Sequence, residues 1–463
     1  MSAGLPTIAI FDVGKTNKKL LLFDQSYKII YEETVHLEET KDEDGFPCED
    51  VLALTNWIRT CFDRITTDKR FHVKAVNFSA YGASLVYVNQ NGRVIAPLYN
   101  YLKPYPESLK EQFYSSYGGE AALSKETASP VLGNLNSGLQ LYRLKYEKIE
   151  VFKEIAFAFH LPQYLSYILL DYPATDITSI GCHTKLWDFK KNRYHRWVEL
   201  EKIEEKFPTI ISCSAPFAFD RNDRSYLGGI GLHDSSAALI PYLLSFHEPF
   251  VLVSTGTWCI SLNPFNHSLL TDHELQQDCL CYLSYESKPV KASRLFAGYE
   301  HEQQVKRLAA HFAVDIDRYK EVKVDFELLR SLSEENSTNS FQQGALVDQS
   351  RFAQRDLAGF KGYDEAYHQL IADIIRQQVR STNLVLKGTS VSRIFVDGGF
   401  SHNSIYMHML AEAFPNMEVY AASVSQASAL GAALVFHPHW NNKQLPAEIV
   451  DMKRFSDTRQ TSL

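Results

Sequence analysis

Short apolar runs recur along the chain, and at two places they form the same pattern. Residues 7–11 (TIAIF) and 20–23 (LLLF) flank a polar, glycine-containing segment, and residues 250–253 (FVLV) and 258–262 (WCISL) flank a second one. Apolar runs of this length around such a segment predict a β-hairpin. Two hairpins, one near the start of each half, indicate two related domains, although short hairpins with glycine turns are also common in unrelated folds.

The segments that follow the hairpins predict alternating strands and helices. Residues 73–88 have the pattern of strands interrupted at Gly82, and residues 138–170 that of helices around one short strand. Residues 364–386 carry apolar side chains at spacings of three and four, which predicts an amphipathic helix. The pattern after it predicts a strand (393–396), a glycine pair, a helix (404–414), a strand (417–422) and a small-residue helix (425–436). This order favours an α/β fold with helices covering the sheets.

Length and charge limit the domain count and the classes of partner. The chain has 463 residues, of which 45% are apolar, so two or three compact domains are expected. The glycine-rich stretch Gly228–Gly231 and Pro249 bracket the expected boundary, which gives domains 1–243 and 244–463. With 47 basic and 55 acidic side chains the net charge is −8, which offers no general attraction for nucleic acid or an anionic membrane.

The cysteines and the N-terminal residues indicate a cytoplasmic location. Seven cysteines without a C-x-x-C pair favour a reducing compartment over a disulfide framework. The first residues lack the basic segment of a signal peptide, and no run reaches the roughly 18 to 20 apolar residues of a membrane span. The pairs Cys279/Cys281 and His437/His439 lack a second pair at zinc-like spacing, so no metal site of that type is expected.

The polar segment of the first hairpin is the first candidate site. Asp12 ends a buried strand, and a carboxylate there can hold Mg²⁺ beside N–H groups and hydroxyls that contact phosphate oxygens. The residues that would supply these contacts are Gly14, Lys15, Thr16, Asn17 and Lys19. An aspartate before a glycine is also a common turn former, and both interpretations stay open. A P-loop is disfavoured because Ala9 stands where that motif needs glycine.

The turn of the second hairpin is a further candidate for phosphate binding. Its residues are Ser254, Thr255, Gly256 and Thr257. Three hydroxyls and a glycine suit a second phosphate-binding turn made of neutral donors.

Two further segments carry candidate chemistry. Asp234 follows Gly231 and His233 and precedes small residues, which predicts either a general base at a helix N-terminus or an ordinary helix cap. Gly398 and Gly399, with Asn403 beyond them, lie between a predicted strand and a predicted helix. Paired glycines there suit the close approach of a nucleotide, and they equally suit a tight connection.

In this order the segments resemble the FGGY family of carbohydrate kinases over nearly the whole chain, from Ile8 to about Phe436. Gly231–Asp234 is similar to the family's G-x-H-D motif, whose aspartate is the catalytic base. The other matching segments are Asp12–Asn17 (first phosphate motif), Ser254–Thr257 (second phosphate motif), Val396–Asn403 with Ala427–Ala433 (adenosine region), and Asp176–Asp188 with Trp197 (first-domain signature).

The resemblance implies two ribonuclease H-like domains of the actin-like ATPase class, with Mg-ATP bound in a cleft between them. It implies in-line phosphorylation of a sugar hydroxyl with Asp234 as the general base. The substrate would be a ketose such as L-fuculose, L-rhamnulose or xylulose, or a related polyol, bound in the first domain near Tyr81, Gly82, Tyr101 and His233. Homodimers are frequent in the family.

Departures from the family pattern concern mainly the sugar. Many members carry W-x-D-x-R where this chain has Tyr99–Pro104, so the usual sugar contacts cannot be transferred. Lys15 replaces a small residue, and Gln426 stands where glutamate is frequent. Two alternative functions remain: an actin- or chaperone-like ATPase acting on a protein partner, and a catalytically silent sugar-responsive protein, which the intact Asp12 and Asp234 disfavour.

Overall fold

The computed structural model describes residues 4–338 and 350–456, which form two compact units. The first unit contains the described residues up to Ser245 together with Cys281–Pro289 and Ser425–Ile449. The second contains Phe246–Leu280, the described residues from Val290 to Val424, and those from Val450 onward. The sequence-based division into 1–243 and 244–463 concerns family domains, which are defined differently from compact units, and it stays a prediction.

The elements up to Ser245 alternate between strands and helices. The strands are β1 (Leu5–Val13), β2 (Lys18–Asp24), β3 (Ile29–Val35), β4 (Thr40–Lys41), β5 (Pro47–Cys48), β6 (Phe71–Ala80), β7 (Leu85–Val88), β8 (Phe157–His160), β9 (Trp187–Asp188), β10 (Arg193–Tyr194), β11 (Phe217–Arg221), β12 (Arg224–Gly228) and β13 (Leu232–His233). The α-helices are α1 (Val51–Thr67), α2 (Glu107–Ser116), α3 (Glu120–Glu126), α4 (Gly138–Glu147), α5 (Ile149–Glu154), α6 (Leu161–Leu170), α7 (Ile177–Ile180), α8 (Arg196–Leu200) and α9 (Asp234–Ser245). Short 3₁₀ helices are Gly133–Leu135 and Glu204–Lys206.

The remaining elements continue in the same manner. The strands are β14 (Phe250–Thr255), β15 (Cys259–Asn263), β16 (Cys279–Leu283), β17 (Pro289–Leu295), β18 (Arg393–Gly398), β19 (Glu418–Ser423) and β20 (Asp451–Phe455). The α-helices are α10 (Asp272–Gln276), α11 (Ala297–Phe312), α12 (Phe326–Thr338), α13 (Tyr363–Leu386), α14 (Ser404–Ala413), α15 (Ala427–Leu434) and α16 (His437–Trp440). The 3₁₀ helices are Ile316–Glu321, Phe352–Gln354, Leu357–Gly359 and Gly399–His402.

The main sheet of the first unit has the order β11-β12-β6-β1-β2-β3, and β13 also pairs with β6. β1 and β2 are the predicted hairpin, and they pair antiparallel. β6 is parallel to β1 on one side and to β12 and β13 on the other. The carboxyl ends of β1, β6 and β13 therefore meet at one edge of the sheet.

The main sheet of the second unit has the order β16-β17-β15-β14-β18-β19-β20. Its central hairpin, β14 and β15, is the second hairpin that the sequence predicts, and β14 pairs in parallel with β18. Each unit thus contains a hairpin whose first strand also pairs with a later parallel strand. The predicted helix over residues 364–386 is confirmed as α13, whose apolar residues lie in the main core of this unit.

Helix α15 belongs to the first unit although it lies late in the chain. It packs closely on α9, because a Cβ added at Gly431 would overlap the carbonyl oxygen of Ala237. The side chain of Asn77, in β6, donates a hydrogen bond to the carbonyl oxygen of Ala432 at 2.8 Å. These contacts hold α15 against the sheet that carries β1. No helix among the described residues is long and apolar enough to cross a membrane.

Lys185 is a buried cation within the signature segment of the first unit. Its side chain is 1% exposed, and Nζ donates hydrogen bonds to Ser124 Oγ at 2.8 Å and to the carbonyl oxygen of Ser129 at 2.5 Å. Both acceptors are neutral, so they offset only part of the cost of removing an ammonium group from water. Burial lowers the pKa of Lys185 to about 7.

The Lys185→Met variant tests this burial cost through the pH dependence of stability. Between pH 7 and about 10 the amine of Lys185 is mostly deprotonated in the folded wild type. In the unfolded chain it still carries its proton over this range. The free energy of unfolding should therefore rise with pH in that window, by at most about 1.4 kcal/mol per pH unit from this group. In the variant this contribution should vanish, and the variant should be the more stable protein below pH 7.

Chemical denaturation at a series of pH values gives the free energy of unfolding of each protein. In the difference between the two free energies, the contributions of all other titrating groups cancel. Lys69→Met, at an exposed position, is the matched control and should leave the pH dependence unchanged. Parallel stability curves for wild type and Lys185→Met would contradict the assignment.

Candidate functional site

The first hairpin turn is closed by a backbone hydrogen bond from the Gly14 N–H to the Asn17 carbonyl oxygen at 2.9 Å. Thr16 and Asn17 are exposed at its tip. Lys15 forms an ion pair with Glu39 at 2.6 Å. Its predicted contact with phosphate stays a prediction.

The carboxylate of Asp12 lies at the edge where the parallel strands end. Asp12 is paired with Ser79 of β6 on one side of that strand, and Leu232 of β13 is paired with the same Ser79 on the other. Asp234 directly follows His233, the last residue of β13, and is the first residue of α9. The topology therefore places the two aspartates predicted from the sequence at the same sheet edge.

Both carboxylates are held by hydrogen bonds from neighbouring groups. Ser428, in the first turn of α15, donates its hydroxyl to Asp12 Oδ2 at 2.9 Å. The backbone N–H of Ser235 donates to Asp234 Oδ1 at 2.6 Å. The Asp234 side chain remains 34% exposed, so it stays accessible to a small molecule. The hydrogen bond from Ser235 is compatible with a helix cap and with a base held in place.

The surroundings make both carboxylates weaker acids than an exposed aspartate. Burial raises the pKa of Asp234 to about 6. Burial also raises the pKa of Asp12 to about 6, with a smaller contribution from the negative charge of Asp234 and an opposing one from the Ser428 hydroxyl. Carboxylates with a pKa near physiological pH exchange protons readily, and such groups are concentrated at catalytic sites.

His233 is packed beside Asp234 rather than exposed. Its Nε2 lies 3.2 Å from Asp234 Oδ1 and 3.1 Å from the sulfur of Cys182. Burial lowers the pKa of His233 to about 4, so the ring is neutral at physiological pH. Gly82 leaves room for this ring, because a Cβ there would lie 3.0 Å from it and 3.3 Å from the sulfur of Cys182.

Two tyrosines predicted to contact the sugar lie together in the first unit. The rings of Tyr81 and Tyr101 are 6.1 Å apart between centroids, in an edge-to-face arrangement. The Tyr81 hydroxyl donates to Glu49 at 3.2 Å, and Glu49 forms a buried ion pair with Lys18 at 2.7 Å. Burial raises the pKa of Tyr101, and the negative charge of Asp234 adds to the rise.

The second hairpin turn, in the other unit, is built differently from the first. Ser254, Gly256 and Thr257 are exposed, whereas Thr255 is buried. The Thr255 hydroxyl donates to the Asp397 carbonyl oxygen at 2.6 Å and accepts from the Phe400 N–H at 3.0 Å. Thr255 therefore ties the turn to the loop after β18, and its hydroxyl is already engaged.

The glycine pair after β18 fits tightly against this turn. Gly398 has a φ of 91°, in the left-handed region that favours glycine, and a Cβ there would overlap the Thr255 carbonyl oxygen. Gly399 starts a short 3₁₀ helix that leads to Asn403, the N-cap of α14. The predicted strand, glycine pair and helix are confirmed.

A cavity of about 580 Å³ opens beside these glycines in the second unit. Its lining residues come from the turn of the second hairpin, the start of α11, the 3₁₀ helix 316–321, α13 and the loop after β18. They are Thr255, Gly256, Gly298, His301, Tyr319, Lys320, Val322, Tyr367, Gly399, Phe400, His402, Asn403 and Ser404. The mixture of aromatic rings, backbone and a few polar groups is typical of a small-molecule site.

One side of the cavity is fixed by a chain of hydrogen bonds. The Asn403 side chain accepts from the Tyr406 N–H at 3.0 Å and donates to the Tyr367 hydroxyl at 2.7 Å. That hydroxyl lies 3.0 Å from His301 Nε2. Burial lowers the pKa of His301 to about 4, so this wall is uncharged at neutral pH.

Several residues of these sites were not identified from the sequence. Tyr319 and Tyr367 are separated from the glycine pair by many residues, and no local pattern marks them as cavity residues. Gly298 was visible in Phe296–Tyr299, which differs by one residue from F-G-G-Y. A Cβ at Gly298 would overlap the Gly256 carbonyl oxygen, so α11 packs against the second hairpin turn at this position.

Asp12 suits a divalent cation such as Mg²⁺ by the chemistry of its donor atoms. Mg²⁺ is usually bound by one or two protein carboxylates, with waters and phosphate oxygens completing the shell. Asp12 offers a carboxylate that is partly accessible and oriented by Ser428. Within the described residues no group of three or more His, Cys, Asp or Glu side chains is arranged as a metal site.

Two family models match the chain in sequence. The model of the N-terminal domain of the FGGY family of carbohydrate kinases matches residues 7–229. The model "Carbohydrate kinase FGGY, C-terminal domain" matches residues 247–444. Together they include every segment on which the resemblance rests except Gly231–Asp234, which lies between the two matched ranges. Among curated proteins no match was found.

Solved structures share the fold over nearly the whole chain. A carbohydrate kinase from Novosphingobium aromaticivorans has a TM-score of 0.80 at 21% identity and covers 98% of this chain and 95% of its own. The ligand-bound xylulose kinase of Lactobacillus acidophilus has a TM-score of 0.76 at 16% identity, and the match covers 98% of this chain and 94% of the xylulose kinase chain. The ADP complex of Plasmodium falciparum glycerol kinase has a TM-score of 0.75 at 14% identity, and the match covers 100% of this chain and 97% of the glycerol kinase chain. The predicted fold of two actin-like domains is confirmed.

Replacement of Gly298 by alanine tests the packing of α11 on the hairpin turn. The added methyl group must displace backbone, and overpacking of this kind costs about 1–3 kcal/mol. We expect the melting temperature to fall by several degrees, measured by thermal denaturation. Gly359→Ala is the matched control, because a Cβ there has no neighbour within 4 Å. Equal melting temperatures for the two variants would contradict the tight packing at Gly298.

Proposed function

Because the chain belongs to the FGGY family of carbohydrate kinases, we propose that it transfers the γ-phosphate of ATP to a hydroxyl of a ketose or a related polyol. Phosphotransferase activity on a carbohydrate, with ATP as donor, follows from the family. The observation that carries the more specific proposal is the partly exposed carboxylate of Asp234 at the start of α9, with its raised pKa. No observation favours the alternative of a sugar-independent ATPase.

In the proposed reaction Asp234 acts as the general base. The substrate hydroxyl oxygen attacks the γ-phosphorus in line, the bond from that phosphorus to the β,γ-bridging oxygen breaks, and ADP leaves. The hydroxyl proton passes to Asp234. A base with a pKa of about 6 is mostly ionised at neutral pH and still accepts a proton as the hydroxyl becomes acidic in the transition state. Phosphoryl transfer otherwise depends mainly on positioning and charge neutralisation.

We assign Asp12 to hold Mg²⁺, which when bound would neutralise charge on the phosphate oxygens. The residues Gly14, Lys15, Thr16, Asn17 and Lys19 are proposed to contact phosphate in the first unit. In the second unit the exposed Ser254, Gly256 and Thr257 are proposed to do the same. Thr255 is proposed to orient that turn, since its hydroxyl is engaged by Asp397 and Phe400.

The cavity of the second unit is the proposed site of the adenosine moiety. Its volume of about 580 Å³ suits a nucleoside, and its aromatic lining suits a planar base. Gly398 and Gly399 allow a ligand to approach the backbone closely. Asn403 and Tyr367, held by their mutual hydrogen bond, would present polar groups in fixed positions.

The substrate is proposed to bind beside Asp234, with Tyr81, Gly82, Tyr101 and His233 around it. Two tyrosines and a neutral imidazole suit a neutral sugar, because aromatic rings pack on C–H groups and the hydroxyl and imidazole groups form hydrogen bonds. L-Fuculose, L-rhamnulose and xylulose remain the candidates, with related polyols. A screen of ketoses, polyols and aldonates in a coupled assay for ADP release would identify the substrate. A homodimer and a cytoplasmic location stay predictions.

The Asp234→Asn variant tests the role of the general base. We expect kcat to fall by roughly 10²- to 10⁴-fold, since asparagine is isosteric but cannot accept the proton. ADP affinity, measured by calorimetry, should stay within about twofold of the wild type, because Asp234 is not assigned to nucleotide binding. Asp223→Asn is the matched control at an exposed position and should keep full activity.

Two results would contradict this assignment. One is an Asp234→Asn protein that retains more than about a tenth of the wild-type kcat on the substrate found in the screen. The other is loss of ADP binding and of the thermal transition together, which would make Asp234 a structural cap.

A further inference from the structure

Two of the charged candidate residues of the first hairpin lie directly opposite each other. Asp12 in β1 and Lys19 in β2 are partners in the antiparallel register. Each of them receives one contact from the start of α15, from residues that are only two positions apart. Gln426 contacts Lys19, and Ser428 contacts Asp12.

We propose that Gln426 and Ser428 are positioning residues that hold the Lys19 and Asp12 side chains of the phosphate-binding hairpin in their working orientation. This inference rests on the proposed function, in which Asp12 binds the metal ion and Lys19 contacts phosphate. Neither Gln426 nor Ser428 needs to touch the substrate or ATP for this role.

The contact of Ser428 restrains one oxygen of the Asp12 carboxylate. The hydroxyl donates to Oδ2 at 2.9 Å, which leaves Oδ1 and the remaining lone pair of Oδ2 for other ligands. Groups that hydrogen-bond to a metal-binding carboxylate fix its orientation, and their removal typically weakens metal binding by 10- to 100-fold.

Gln426 forms a bridge between two charged residues of the first unit. Its Oε1 accepts from Lys19 Nζ at 2.9 Å, and its Nε2 donates to Glu32 Oε1 at 3.3 Å. The backbone of Gln426 is in the left-handed region, with a φ of 53°, which is uncommon for a residue with a side chain. Backbone of this kind persists where the surrounding structure fixes it. Glu32 Oε1 also lies 3.9 Å from Lys19 Nζ, so the amide holds Lys19 beside a carboxylate that offsets part of its charge.

The start of α15 is rigid enough to act in this way. Gly431 allows α15 to touch the backbone of α9 at Ala237, and Asn77 of β6 binds the Ala432 carbonyl oxygen. The helix is therefore fixed to the sheet whose edge carries Asp12 and to the helix that begins with Asp234. The distance from these anchors to Ser428 is about one helical turn.

The Ser428 contact is tested by metal binding rather than by turnover. Mn²⁺ is titrated into the enzyme with saturating ADP, and free Mn²⁺ is followed by electron paramagnetic resonance. We expect Ser428→Ala to weaken Mn²⁺ binding by about 10-fold. Ser428→Thr, which keeps the hydroxyl, should stay within about threefold of wild type, and Ser425→Ala should bind Mn²⁺ as wild type does. ADP affinity in EDTA and the melting temperature should be the same in all four proteins.

Wild-type Mn²⁺ affinity in Ser428→Ala would overturn the assignment. A loss in Ser428→Thr or in Ser425→Ala as large as that in Ser428→Ala would also overturn it, because the effect would then not depend on this hydroxyl. The Asp12→Asn variant distinguishes a failure of the Ser428 role from a failure of the Asp12 role. If Asp12→Asn binds Mn²⁺ as the wild type does, the proposed role of Asp12 fails, whatever Ser428→Ala shows.

The Gln426 contact is tested by a double-mutant cycle on ADP affinity in EDTA. Lys19→Met and Gln426→Ala are measured singly and together. A positioning role requires that Gln426→Ala weakens ADP binding by about two- to tenfold and that it has no further effect in the Lys19→Met background. Additive effects, or no effect of Gln426→Ala alone, would overturn this part of the proposal.

Discussion

The structure depends on one topological constraint, which is that β6 has a parallel neighbour on each side. β1 and β13 both run alongside it, and their carboxyl ends are in register at Ser79 and Ala80. Every residue from Ile8 to Phe11 is apolar and buried, and the first charged residue of β1 is Asp12, near the carboxyl end of the strand. Asp12 and Asp234 emerge at that edge, and their weak acidity results from proximity to this core. Carboxylates farther along the loops would be better solvated, and their pKa values would lie closer to that of an exposed aspartate.

The two hairpins share a topology but differ in chemistry. The first has a carboxylate and a lysine opposite each other, with restraints supplied from α15. The second has neutral hydroxyls, and one of them is used to tie the turn to the loop after β18. The same backbone arrangement therefore carries different side chains in the two units. The first hairpin carries charged groups, while the second lies beside a cavity lined by aromatic rings, backbone and Lys320.

Much of the secondary structure could be predicted from local patterns. The two hairpins, the interruption at Gly82, α13 and the succession from β18 to α15 all follow from apolar spacing and glycine positions. The aspartates were found for the same reason, because a carboxylate that ends an apolar strand is visible in the sequence. The actin-like fold followed from the order of the motifs, which no single motif would have given.

The residues that could not be predicted act through contacts between distant parts of the chain. Ser428 lies in a segment of small residues, and nothing around it indicates that its hydroxyl reaches Asp12. Tyr319 and Tyr367 line the cavity from separate elements, and their spacing in sequence carries no information about it. The composition of the second turn predicts Thr255 as a phosphate ligand. Its hydroxyl instead bonds Asp397 and Phe400, and these contacts depend on the register between β14 and β18. Which sugar binds depends on the shapes of side chains, and a pattern of apolar and polar residues does not describe those shapes.

The late position of α15 has a consequence for biosynthesis. The first unit includes Ser425–Ile449, so it cannot be completed when the ribosome has made only residues up to Ser245. At translation rates of about 5–20 residues per second, the missing segment appears roughly 10–40 s later. During that interval the nascent chain has the β1–β2 hairpin without its partners from residues 426 and 428, and the sheet surface that α15 covers is bare. The first unit is therefore completed only near the end of synthesis.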